Sequence, residues 1–157
     1  MDWIDYVKFV DIMGRRFGDD VWLRRTSFAL GLVGELGEVA EWIKKNEIHK
    51  KQNMNREDLK LEVGDYMFYC VAMWALNVTQ DEVAEGIVRH MTLCDPSHYK
   101  RFAGAETDSW WFLQFINATK ECGDEYTDCI GLCYSLGFDP VEVARANMDK
   151  LNKRYSQ

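Results

Sequence analysis

Apolar residues recur at spacings of three and four along most of the chain, as in Leu32, Leu36, Val39, Ala40 and Ile43, and again in Leu59, Val63, Tyr66, Cys70, Val71 and Trp74. That is the period of a helix with one buried face, and no stretch shows the strict alternation of a half-buried strand. The pattern predicts an all-α chain with helices over about 3–17, 26–47, 56–76, 80–93, 107–122, 124–136 and 140–154. Punctuation falls between them at Gly18, in the polar run HKKQNMNRED, at Asn77, in CDPSHYKRFAGAETD and at Gly137. Thr79 before QDE and Asp139 before Pro140 read as N-caps, Pro being preformed for the first helical turn.

Composition narrows this picture. A chain of 157 residues, 47% hydrophobic and with two prolines, is long enough for one sizeable core and has no linker-like tract, so residues 1–157 are expected to form a single domain. The formal charge of −7 repels polyanions at long range, which argues against a nucleic-acid partner. The five cysteines, Cys70, Cys94, Cys122, Cys129 and Cys133, are odd in number and form no CxxC pair, so they read as reduced thiols rather than a disulfide framework or a zinc knuckle. MDWIDYVKF lacks the basic start and long apolar run of a secretory signal, and the longest apolar run, 67–76, is about half of a bilayer span. A cytoplasmic protein with no membrane partner is the expectation.

The acids on the apolar helices carry the chemistry. GELGEVAEWIKK places Glu35 and Glu38 three residues apart, with Glu41 behind them, and LEVGDYMFY repeats the separation with Glu62 and Asp65. Residues three apart share a helix face, and an antiparallel hairpin of the two helices brings the pairs opposite each other. Four converging carboxylates repel strongly when partly dehydrated unless a cation joins them. Oxygen ligands without His or Cys favour a hard ion, foremost Mg²⁺, with Mn²⁺ as a substitute. The competing reading is a solvated acidic face paired with Lys44, Lys45 or Lys60. Gly34, Gly37 and Gly64 speak against it, because glycine inside a helix is costly unless another backbone approaches closely. Glu38 or Glu41, beside the proposed ligands, is the candidate base for an attacking water, and Lys45, two turns after Glu38, is either a phosphate contact or a solvated lysine at a helix end.

Other residues read as structural. His49, His90 and His98 have no ligand spacing, which argues against zinc or a ferritin-like di-iron site. Trp110, Trp111, Phe112 and Phe115 fit a core or an oligomer interface better than a base-stacking shelf, while Trp22 and Trp42 are weaker stacking candidates. The stretch around LEVGDYMFYC is echoed by KECGDEYTDC, and both lead to a helix containing EVA.

The runs RTSFALGLVGELGEVAEWIKK, DLKLEVGDYMFY and EVARANMDKLNKRY together resemble the successive motifs of the MazG-like all-α nucleoside triphosphate pyrophosphatases, a superfamily that includes dimeric dUTPases. The resemblance covers about 25–76 and 138–155. It implies a helical bundle completed by assembly as a homodimer or homotetramer, with Mg²⁺ held by Glu35, Glu38, Glu62 and Asp65. It also implies hydrolysis of a nucleoside triphosphate to monophosphate and pyrophosphate, and makes Asn147, Lys150 and Arg154 nucleotide or phosphate contacts. Compact relatives pass almost directly between the second acid pair and the Asn-Lys helix, whereas here 78–137 intervenes as an insertion. Glu121 and Asp124 in it are either a second metal pair or a relic of the first, with the relic favoured. A hydrolase acting on dUTP or dCTP and their diphosphates, and a non-catalytic helical interaction module, are the alternatives. Base preference depends on a pocket built from several helices and is not legible.

Overall fold

Asp2, Asp20, Asn55 and Asp139 each adopt an extended backbone and accept hydrogen bonds from amides of the following turn. They thereby satisfy donors that a helix start leaves orphaned. From these caps run α1 (Trp3–Gly14), α2 (Val21–Ile43), α3 (Arg56–Ala75) and α7 (Pro140–Tyr155). Between α3 and α7 lie α4 (Gln80–Leu93), α5 (Asp108–Cys122) and α6 (Asp128–Ser135). The computed structural model describes residues 1–93, 107–122 and 128–156, with side chains except at 111, 117–122 and 128. Among these residues there is no strand, and the fold is all-α.

The expected helices are present with three differences, and residues 124–127 of the expected 124–136 helix lie outside the described residues. The span 3–17 is α1 followed by a 3₁₀ turn, Arg15–Phe17, closed by Gly18 at φ 111°. The second helix begins at Val21 rather than at 26, because the Asp20 carboxylate accepts from the amides of Trp22 and Leu23 at 2.7 and 3.2 Å. Periodicity hides that first turn, since Val21, Trp22 and Leu23 are all exposed. At its far end the helix continues as a π-helical turn, Lys44–Ile48. Thr79 and Glu82 form a reciprocal capping box at the start of α4. The CDPSHYKRFAGAETD punctuation lies mostly, and Asp124 and His98 wholly, outside the described residues, as do the side chains of Glu121, Cys94 and Cys122.

Two pairings position the site. Arg25 donates to Asn77 at 2.9 Å, a Cβ on Gly31 would overlap the Tyr69 ring, and Glu35 meets Asp65. Contact numbers that fall on one helix as they rise on the other make α2 and α3 an antiparallel pair. Along α7 the numbers rise together with those of α3: Gly64 lies against Val143 and Asn147, Asp65 against Asn147 and Lys150, and Tyr69 shares a cavity with Arg154 and Tyr155. These helices therefore run parallel, and their approach is close. A Cβ on Gly64 would come within 3.1 Å of the Asn147 Cβ and 3.4 Å of the Val143 carbonyl oxygen. Gly64 thus has the close-approach role expected of it, whereas Gly34 and Gly37 have no neighbour within 4 Å and face outward.

One hydrophobic cluster joins all of these helices. Tyr6, Val7 and Val10 of α1 and Leu59, Val63 and Met67 of α3 meet Val83 and Ile87 of α4, Phe115 of α5, Ile130 and Leu132 of α6, and Val143 of α7. The inserted helices therefore complete the same core as the site-bearing ones. Cys70, Cys129 and Cys133 are buried thiols within it, as the odd cysteine count suggested. Trp42 is also core, 8% exposed, whereas Trp22 is 76% exposed.

Candidate active site

Glu35 projects from α2 toward Glu62 and Asp65 of α3, and one carboxylate oxygen of each lies within 4.8 Å of the others. All three are half-buried. Burial, reinforced by the charges of Asp65 and Glu62, pushes the Glu35 carboxyl up to about 7. Burial also raises Glu62, against the pull of Lys150. Carboxylates crowd here in a partly dehydrated place, so the site favours the arrival of either protons or a cation. No His or Cys joins the group among the described residues, so the donor set is oxygen only and suits a hard divalent ion.

Asp65 is fixed from behind. Its Oδ1 accepts from Asn147 Nδ2 at 2.8 Å and its Oδ2 from Lys150 Nζ. Asn147 is fully buried, and its Oδ1 accepts from the Tyr6 hydroxyl at 3.2 Å. The resemblance made Asn147 a nucleotide contact; in the structure both ends of its amide are engaged by protein, Nδ2 by Asp65 and Oδ1 by Tyr6. The close α3–α7 approach at Gly64 is what brings Asn147 against Asp65.

The remaining candidates are spread along α2 and α7. Glu38 is exposed, outside the group of three, yet near enough for its charge to raise both Glu35 and Glu62. Glu41 is bound instead by Lys44 and, at 3.5 Å, by Lys45, and the hydrogen bond from Lys44 holds its carboxyl below the usual range. Lys45 is thus engaged with Glu41, and Lys60 with Glu57. The lysines invoked for a solvated acidic face pair with other acids and leave the cluster alone.

A cavity opens beside Glu35 and Asp65. Phe17, Phe68 and Leu151 give it apolar lining, and Arg16, Arg154 and Tyr155 line it as well. The Arg16 guanidinium lies over the Tyr155 ring, 4.6 Å from its centre. Sequence reasoning found Arg154 but missed Arg16 and Tyr6. Their signal is tertiary, because α1 and its 3₁₀ turn come beside α7 only in the folded chain.

Residues 24–98 match the family model of the MazG nucleotide pyrophosphohydrolase domain. Over this segment the chain is similar to the MazG-like superfamily. No curated protein and no solved structure matches the chain. The MazG segment contains all three clustered acids, whereas Tyr6, Arg16, Asn147 and Lys150 lie outside it. MazG enzymes depend on divalent metal, and the oxygen-only cluster fits that requirement. Among the described residues, no helix is long and apolar enough to cross a membrane.

Proposed function

We propose that the protein hydrolyses nucleoside triphosphates between the α- and β-phosphates, releasing a nucleoside monophosphate and pyrophosphate. The observation that carries this reading is the convergence of Glu35, Glu62 and Asp65 from two antiparallel helices, with Glu35 pushed up to about 7. These three carboxylates would hold Mg²⁺, or Mn²⁺ in its place, with Glu38 at the exposed side of the group. Such an ion supplies charge neutralisation at the phosphoryl oxygens and a bound water of lowered pKa.

The chain's own groups do the rest. Glu38, exposed beside the cluster, accepts the proton of the attacking water; Glu41, held by two lysines, is the poorer base. Arg154 and Arg16, which line the cavity, and Lys150, beside Asp65, neutralise charge on the polyphosphate. The apolar lining of that cavity receives the nucleobase, since a flat ring buries well against Phe17 and Phe68 while a polyphosphate does not.

A second copy of the chain packs on the outer face of α2 to form a homodimer or homotetramer. Trp22, Leu30 and Val33 are exposed there, and Gly34 and Gly37 leave the surface beside them open to close approach. Buried thiols and the net charge suit a reducing, cytoplasmic setting without nucleic acid as partner.

Product analysis with a panel of ribo- and deoxynucleoside di- and triphosphates, with Mg²⁺ or with EDTA, tests the reaction. Metal-dependent release of pyrophosphate with monophosphate is expected. Turnover confined to deoxyuridine or deoxycytidine nucleotides, with the triphosphate giving pyrophosphate and the diphosphate orthophosphate, each beside the monophosphate, would support the dUTP- or dCTP-type alternative, and no turnover by a well-folded oligomer would sink the enzymatic reading.

A further inference from the structure

We propose that Tyr6 is a positioning residue for Asp65, acting through Asn147 to aim that carboxylate at the divalent ion. The inference rests on the metal-site reading above and extends it to a residue of α1, outside the segment that matches the family model.

The argument is one of donors and acceptors. A carboxylate can only accept, so the Asn147 amide must turn Nδ2 toward Asp65, as it does at 2.8 Å. Its oxygen then points into the core, where an acceptor without a donor is costly. The Tyr6 hydroxyl supplies that donor at 3.2 Å. Both Tyr6 and Asn147 are fully buried, so no water replaces either partner without entering the core. Burial also pushes the Tyr6 phenol well above its ordinary range, which keeps its proton in place at any working pH.

The consequence is directional. Asn147 takes a lone pair of Oδ1 and Lys150 one of Oδ2. Asp65 is thereby held in one rotamer with its remaining lone pairs available on the side of Glu35 and Glu62. Groups that orient metal ligands in this way typically alter metal affinity by about 10- to 100-fold when removed. Tyr6→Phe keeps the ring and its packing and deletes only the donor, so the Asn147 oxygen is left without its buried partner and the amide is held less firmly against Asp65.

Calorimetric titration of the full chain with Mn²⁺, paired with the metal-induced rise in Tm, reads the effect without turnover. Tyr6→Phe is expected to weaken Mn²⁺ by about 10- to 100-fold, with the nucleotide KM little changed once metal is saturating. Val10→Ala, a cavity made on the same buried face of α1, is expected to lower Tm and leave the Mn²⁺ affinity within two-fold. If Tyr6→Phe lowers Tm while its Mn²⁺ affinity stays at the wild-type value, Tyr6 is structural only and the proposal fails. Should Tyr6→Phe not fold, Tyr6→Phe/Asn147→Leu, which leaves no orphaned acceptor, is compared with Asn147→Leu. Equal Mn²⁺ affinities are expected, because Tyr6 acts only through Asn147, and a further loss in the double variant overturns the proposal. Wild-type protein that binds no Mn²⁺ would instead overturn the metal-site reading itself.

Discussion

Glu35 and Glu41 sit on one helix less than two turns apart, in the same acid-rich stretch, and their carboxyl groups behave in opposite ways. Glu35 turns into the α2–α3 seam, where burial and two facing acids push it up to about 7. Glu41 stays at the surface, where Lys44 and Lys45 hold it down. Spacing within a helix therefore does not separate a ligand from a solvated acid. What separates them is the facing helix, and whether the nearest cations come from the same helix or must be supplied from outside.

That contrast is easiest to break at Asp65. Asp65→Asn removes a charge from the cluster and its ion pair with Lys150, and hydrolysis is expected to fall on the order of 10²- to 10³-fold in a metal-saturated assay. Gly64→Ala comes next. A new Cβ at 3.1 Å from the Asn147 Cβ forces α7 away from α3, and overpacking of this kind costs about 1–3 kcal/mol, read as a fall in the urea midpoint. Activity is expected to fall with it, because Asn147 and Lys150 ride on the displaced helix.

The proton dependence sharpens the comparison further. Below the unfolded-state pKa, Glu35 is protonated whether the chain is folded or not, and its burial costs no charge desolvation. As pH rises toward about 7, the unfolded chain releases that proton while the folded chain retains it, so metal-free stability falls across this window and levels off above it. Glu35→Gln is expected to flatten the decline in a Tm-against-pH series without metal. The drop is modest, since Glu35 is only half-buried and water screens it. The smallest effect is at Glu41: Glu41→Gln is expected to keep turnover within about two-fold. A loss comparable to that of Asp65→Asn would make Glu41 part of the site after all.

The helices were legible because their apolar faces repeat with the helix period and because Gly18, Gly137, Thr79 and Asp139 punctuate them. The first turn of α2 was not, since its apolar residues face outward and its signal is the single cap Asp20. Glu35, Glu62 and Asp65 were legible as pairs on apolar helices. Glycine was a less faithful guide. Gly64 marks the α3–α7 contact, but Gly34 and Gly37 lie on an open face, so the same residue type in the same stretch signals two different surfaces. Tyr6 and Arg16 left no trace in the sequence pattern, because a buried tyrosine on an amphipathic helix looks like core until the helix beside it is known.

The central claim is that Glu35, Glu62 and Asp65 form a divalent-ion site, and direct titration of the nucleotide-free protein with Mg²⁺ or Mn²⁺ tests it most plainly. Wild type is expected to bind with release of protons near neutral pH, since the raised Glu35 carboxyl must lose its proton to the buffer as the ion binds. Asp65→Asn is expected to abolish saturable binding, and Glu41→Gln to retain it. Binding that survives Asp65→Asn unchanged, or disappears in Glu41→Gln, would contradict the assignment of the ion to this cluster.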